Sequence, residues 1–320
     1  MRRRDFLAAA MSLPALSALP LPRHDRQVAA VSAGAQGKLA PMAVGLMIQP
    51  AGGPEAAIAR VKELGLTNCF LSLDGYINRF TAPLAQQLND LLQKYGIAAT
   101  SAEVVGPGRL VWDFLDGPST IGLVPRATRV ARIDALKQTS DFAKMLHIPR
   151  VQTHCGFIPE NPRDPLYDET VHAIREIANY CASNGQDFLM ETGQETPTTM
   201  VRAFQDANRP NLGIGFDTAN LVLYGKANPS DAVDIIGPHV RSVHAKDGLF
   251  PTDPMKLGEE VLIGSGRVDF VQVFRKLRKF GYTGAITIER EISGPQQIED
   301  VKKEKLYLER VISEIQSKTA

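Results

Sequence analysis

Four strand-like segments end in residues that bind metals. QDFLMET (186–192) carries Glu191, NLGIGFD (211–217) ends in Asp217, HVRSVH (239–244) ends in His244, and GAITIER (284–290) carries Glu289. Successive strand residues point to opposite faces. Glu191 therefore shares a face with Leu189, Asp217 with Gly215 and Gly213, His244 with Ser242 and Val240, and Glu289 with Thr287 and Ala285. In three of the four strands the bulky apolar residues take the other face, where covering helices would pack; Arg241 is the exception. Three carboxylates gathered in one enclosed mouth raise one another's pKa and cannot all stay ionised without compensating positive charge. A divalent cation is the simplest compensation. Three oxygen donors and one imidazole suit Mn²⁺ first, with Co²⁺, Mg²⁺ or Zn²⁺ as alternatives, and leave coordination positions for substrate oxygens.

The elements that must position these groups form a regular rhythm. Strand-like runs at 42–48, 68–73, 97–104 and 148–154 precede the four already quoted. Helical patterns such as PEAAIARVKELG, APLAQQLNDLLQKYG, DETVHAIREIANYCASNG and DFVQVFRKLRKFG lie between them. Several end in the glycine expected after a helix C-terminus. Eight strand-helix repeats over the 280 residues from 41 to 320 predict an α/β protein of the (β/α)8 TIM-barrel type. A doubly wound open sheet is the structural alternative, disfavoured because no Gly-rich dinucleotide turn follows the first strand. In a barrel the four residues meet at the C-terminal mouth, where barrel active sites form. The connections 104–127 and 248–267 exceed ordinary loop length, and the first is a candidate lid.

Other residues have weaker claims. His154 ends the fourth strand on the inward face. Lys246 follows His244 closely enough to orient a substrate oxygen or to pair with a carboxylate, while Asp247 precedes Gly248 and suits a turn. Glu103 and Asp74 end strands and could meet substrate hydroxyls. Trp112, the one tryptophan, lies in the long third loop and could stack on a substrate ring or pack that loop down. The glycines of IGSGRVDF lack the Lys-Ser/Thr of a phosphate loop and read as the turn into the seventh helix. His24, His147, His172 and His239 are assigned no role.

The N-terminus reads as an address. Arg3-Arg4-Asp5-Phe6-Leu7 fits a twin-arginine export pattern, followed by an apolar run too short and proline-broken to span a membrane. Residues 1–40 are thus expected to be export signal and linker, with cleavage after Ser17 or Ala35 and a periplasmic or otherwise exported mature barrel. Thirty-six basic against 35 acidic residues give no electrostatic reason to expect nucleic acid or an anionic membrane as partner. Three scattered cysteines suit neither a disulfide framework nor a zinc-thiolate site.

METG, GFDTAN, SVHAKDG, IGSGRVDF and TIERE, in this order, resemble the sugar phosphate isomerase/epimerase family with the xylose isomerase-like barrel. The resemblance covers the chain after the linker, and its second half is the specific part. It implies a metal held by Glu191, Asp217, His244 and Glu289. It also implies that Glu191 and Glu289 exchange the proton α to a carbonyl, one on each face of the substrate, and that His154 touches substrate hydroxyls. Two positions depart from the ketose 3-epimerase pattern: Asn220 stands where those relatives have a His three residues after the metal Asp, and Phe250 where they have a substrate-binding Arg six residues after the metal His. A metal that holds the carbonyl and a neighbouring hydroxyl stabilises the enediolate left when a carboxylate takes the α-proton. Reprotonation gives isomerisation or epimerisation, while expulsion of a β-leaving group gives a lyase.

The resulting expectation is an exported, metal-dependent sugar isomerase or epimerase acting on a non-phosphorylated sugar or keto-sugar. Export argues against phosphosugars, which are cytoplasmic metabolites. A 3-keto-glycoside lyase or dehydratase on the same site is the first alternative, and a non-catalytic exported sugar-binding barrel the second. The partner is a small-molecule sugar or keto-glycoside, and a homo-oligomer is compatible with the sequence. Endonuclease IV shares this barrel, but its chemistry wants more strand-end histidines and a basic face.

Overall fold

A computed structural model describes residues 39–317. The twin-arginine pattern, its apolar run and both candidate cleavage sites lie outside the described residues. Eight parallel strands close into a barrel: β1 (Val44–Ile48), β2 (Asn68–Ser72), β3 (Ala98–Glu103), β4 (Arg150–His154), β5 (Asp187–Glu191), β6 (Leu212–Asp217), β7 (Val240–Ala245) and β8 (Ile286–Ile288). Each pairs with its sequence neighbours, and β8 returns to β1. Eight longer helices follow the strands in turn: α1 (Pro54–Glu63), α2 (Ala82–Tyr95), α3 (Arg126–Met145), α4 (Pro165–Ser183), α5 (Pro197–Ala207), α6 (Pro229–Ile236), α7 (Phe270–Lys279) and α8 (Pro295–Ser317). This is the (β/α)8 TIM barrel expected from the rhythm. Among the described residues no helix is long and apolar enough to cross a membrane.

Local chemistry fixes where these helices begin. The side chains of Thr81, Asp164, Thr196, Asn228 and Asp269 each accept a backbone N–H at the start of a helix, which satisfies donors that have no partner within the helix. The outer strand faces then bury Phe188, Met190, Leu212, Ile214, Phe216, Ile286 and Ile288 against the helices. Such burial is the main favourable term in folding.

The small residues on the inner faces make room for large neighbours. A side chain at Gly215 would place its Cβ 2.2 Å from Gln152 Oε1, and one at Gly213 would meet Leu189 and the stem of Arg241. Arg241 breaks the parity because β6 and β7 slip register there: Ile214 pairs with Val240 and Gly215 with Ser242, leaving Arg241 as the extra residue. A bulge re-aims the side chain. Arg241 accordingly pairs with Asp187 and donates to the Pro210 carbonyl.

The long third loop is anchored beneath its tip. Arg132, 1 % exposed on α3, donates to the carbonyls of Gly122 (2.7 Å) and Thr120 (2.5 Å). Leu123 N–H also reaches the Cys155 carbonyl at 2.9 Å. In the other long connection, Asp247 accepts four backbone amides, from Gly248, Gly264, Gly266 and Val268. Asp247 thus shapes the turn, and IGSG leads into α7 as expected. A two-residue antiparallel ribbon, Asp247–Gly248 with Glu260–Val261, completes that connection.

Candidate metal centre and active site

Glu191, Asp217, His244 and Glu289 meet at the C-terminal mouth of the barrel. Each offers one donor atom, and the four atoms lie within 4.8 Å of one another. His244 Nδ1 stands 3.1 Å from Glu191 Oε1 and 3.0 Å from Glu289 Oε2. Phe70 holds the imidazole edge-on, ring centroids 4.5 Å apart. Asp217 Oδ1 is fixed by the Asn220 amide at 2.6 Å, whereas Asp217 Oδ2 and Glu289 Oε2 are buried without a hydrogen bond. Carboxylate and imidazole donors gathered this closely are what a divalent cation would take.

The charge balance supports the same assignment. Burial tends to raise the Glu289 carboxyl, but the Lys246 ammonium and His244 outweigh it and hold it well below the usual range. Burial likewise opposes His154 and His244 at Glu191, and the histidines prevail, holding it at about 2. At Asp217 burial wins, helped by Glu289 and Glu191, and the carboxyl rises well above its ordinary value despite Lys246. The chain's own charges thus favour the ionised form at Glu191 and Glu289 but not at Asp217, and a divalent ion would supply what Asp217 needs. The donor set fits a divalent cation.

Lys246 is 1 % exposed, with Nζ 3.2 Å from Asp217 Oδ2, 3.4 Å from Glu289 Oε1 and 3.1 Å from Glu291 Oε1. It serves as an internal countercharge to three carboxylates. A cavity of about 740 Å³ opens above the cluster. Its lining includes Glu289, Glu103, His154, Asn220 and Trp112, and does not include Glu191, Asp217, His244 or Lys246. Glu289 is thus the member of the cluster that lines this cavity. Phe250, in the place of the epimerase Arg, is 55 % exposed and takes no part in the lining.

The other sequence candidates fall into place around this floor. His154 Nε2 lies 3.4 Å from Glu191 Oε2, its Nδ1 3.2 Å from Gln194 Oε1, and Trp112 stands edge-on to the ring at 4.9 Å. Trp112 is 43 % exposed, so it borders the cavity from the loop tip. Glu103, 4 % exposed, is raised well above its ordinary value by burial and by neighbouring Glu191. Asp74 accepts the amides of Val105 and Gly106 and so ties down the third loop.

Several residues were not singled out from the sequence. Gln152 donates to Glu191 Oε2 at 2.9 Å; its parity with His154 already placed it inward. Glu291 shares a face with Glu289 and could have been read in the same way. Thr192 Oγ1 bridges β5 to β6, accepting Asp217 N–H and donating to Asp217 O, both at 2.9 Å.

Glu195 is of another kind. It is 2 % exposed, neither carboxylate oxygen has a hydrogen bond, and burial pushes it up to about 8. An acid raised in the folded state keeps its proton while the unfolded chain ionises from about pH 4.5. Stability is lost as pH rises from there to about 8. Glu195→Gln removes that loss. The variant is expected to melt several degrees above wild type at pH 8 and level with it at pH 4, read by thermal unfolding at both. A gap independent of pH contradicts this account of Glu195.

The model of the xylose isomerase-like TIM barrel family matches residues 58–311, and the chain belongs to that family. A xylose isomerase domain protein from Planctomyces limnophilus is 29 % identical with a TM-score of 0.79, over 88 % of this chain and 100 % of that one. Inosose dehydratase from Geobacillus thermodenitrificans is 24 % identical over 144 residues, 39 % of this chain and 47 % of that protein. The D-psicose 3-epimerase of Clostridium cellulolyticum H10, solved with D-tagatose, shares the fold at 14 % identity and a TM-score of 0.63, over 84 % and 99 % of the two chains. The chain spans less than two thirds of the length of the curated relatives it matches.

Proposed function

We propose that the protein is an exported, metal-dependent sugar isomerase or epimerase that removes the proton α to the carbonyl of a non-phosphorylated sugar or keto-sugar. The observation that carries this reading is the convergence of four donor atoms within 4.8 Å beneath a cavity whose floor is Glu289. An epimerase among the fold relatives and a dehydratase among the curated ones support it.

Glu191, Asp217, His244 and Glu289 would hold the ion; Mn²⁺ is the proposed metal. When bound it polarises the carbonyl and favours the anion left by proton loss. The chain's own groups do the rest. Glu289, ionised beside Lys246, takes the α-proton from the cavity side. Glu191, oriented by Gln152 and His154, is the proposed exchanger on the opposite face. Lys246 keeps Glu289 anionic, and Glu103, His154 and Asn220 fix hydroxyls. Trp112 covers the site and excludes water.

A second reading, elimination from a 3-keto-glycoside, uses the same proton abstraction and is favoured by a cavity larger than one sugar ring fills. Export remains part of the proposal on the twin-arginine pattern alone. Solvent exchange tests the shared step: with Mn²⁺ in D₂O, keto-sugars should take up deuterium at the carbon next to the carbonyl, seen by NMR. A metal-loaded protein that binds the sugars and exchanges nothing is a binding barrel instead.

A further inference from the structure

We propose that the cavity has a second, apolar compartment that holds a hydrocarbon substituent carried by the sugar ligand. This rests on the sugar-directed reading of the site and specifies the class of substrate. Glu103, His154, Asn220 and Glu289 lie at one end of the cavity, at the candidate metal cluster. At the other end the lining includes Leu46 and Ile48 of β1, Ala57 of α1 with Leu64 just beyond its end, and Ile298 and Val301 of α8.

Strand register places this end outside the barrel wall. Thr287 shares the inward face with Glu289, and Gly45 pairs with Thr287, so Gly45 is inward too. Leu46, paired with Ile288, and Ile48 two residues on therefore face the helices. The cavity thus passes over the top of β1 into a cleft between α1 and α8. Of the polar groups there, Arg60 is exposed, Arg290 is engaged by Asp300 (2.9 Å) and Glu260 (2.7 Å), and Gln297 donates to the Arg290 carbonyl at 2.8 Å.

Size and chemistry point the same way. The 740 Å³ lies well up the range of about 300–1,000 Å³ that encloses drug-sized ligands, more than a hexose needs. A free hexose bears hydroxyls around most of its ring, and hydroxyls set against hydrocarbon lose their hydrogen bonds. An amphipathic ligand, with sugar over Glu289 and hydrocarbon between α1 and α8, matches both ends. The continuity of the cleft with the polar floor is what assigns it to the ligand rather than to a separate partner.

The test is calorimetric titration of the full chain with alkyl β-D-glucopyranosides from methyl to octyl, each below its micelle concentration. Affinity should rise about three- to fourfold per methylene until the cleft is filled. Ala57→Trp, which fills the cleft, and Ile298→Asn, which makes it polar, should both flatten that series, with folding checked by melting temperature. His244→Ala should keep the series while losing proton exchange. A series that fails while exchange persists sinks this inference alone; the reverse result sinks the catalytic reading alone. Affinity independent of chain length, a rise unchanged in both cleft variants, or no binding by any member overturns the compartment.

Discussion

Glu289→Gln is expected to lower α-proton exchange by about 10²–10⁴-fold, the usual contribution of a positioned acid-base group. The barrel should still fold and still bind a divalent ion. Glu289 is singled out because it alone of the four ligand residues lines the cavity. Its carboxylate is kept ionised against burial by Lys246 and His244, so it is ready to accept a proton. Glutamine keeps an oxygen for the metal but removes the group that takes the proton. The comparison is deuterium incorporation at saturating sugar, with metal content measured on the same samples. Exchange within about threefold of wild type in a metal-loaded variant would move the base elsewhere, first to Glu191.

Lys246→Met should destabilise the metal-free protein by about 3–5 kcal/mol, the scale for removing one partner from a buried charge cluster. At roughly 2–4 °C per kcal/mol for a chain of this order of size, the melting temperature falls markedly. Lys246 is 1 % exposed and lies within 3.4 Å of Asp217, Glu289 and Glu291. Its loss leaves Asp217 and Glu289 buried with only His244 opposite them. A divalent ion restores positive charge at the same place, so adding Mn²⁺ should recover a larger share of stability in the variant than in wild type. Thermal scans with and without Mn²⁺ read both effects. A shift under about 2 °C, or equal gains from Mn²⁺, would show that Lys246 does not balance the site.

The convergence of the four candidate ligand residues was legible because strand parity is a local rule that survives folding. An alternating strand with a polar terminus states which face that terminus takes, and eight repeats state that the face is a barrel interior. The same rule misplaced Arg241, because a bulge is a relation between two strands: the slip between Ile214 and Gly215 leaves no mark within β7 itself. Lys246 left two readings open, since a lysine after a strand can reach substrate or carboxylate equally well. Its Nζ lies among the carboxylates of Asp217, Glu289 and Glu291. Glu195 sits in a loop, where burial depends on what the rest of the chain brings over it. The cleft between α1 and α8 joins residues more than 230 positions apart, and no local pattern marks it.

The metal site is tested most directly by the metal content of the purified protein, wild type against His244→Ala, after incubation with Mn²⁺, Co²⁺ or Zn²⁺ and removal of excess ion. His244 stands between two of the ligand carboxylates, so its loss opens the centre of the cluster. About one divalent ion per chain in wild type, absent from the variant, is the predicted result. No ion in either protein, or equal occupancy in both, would contradict the assignment and leave a sugar-binding barrel as the better account of the cavity.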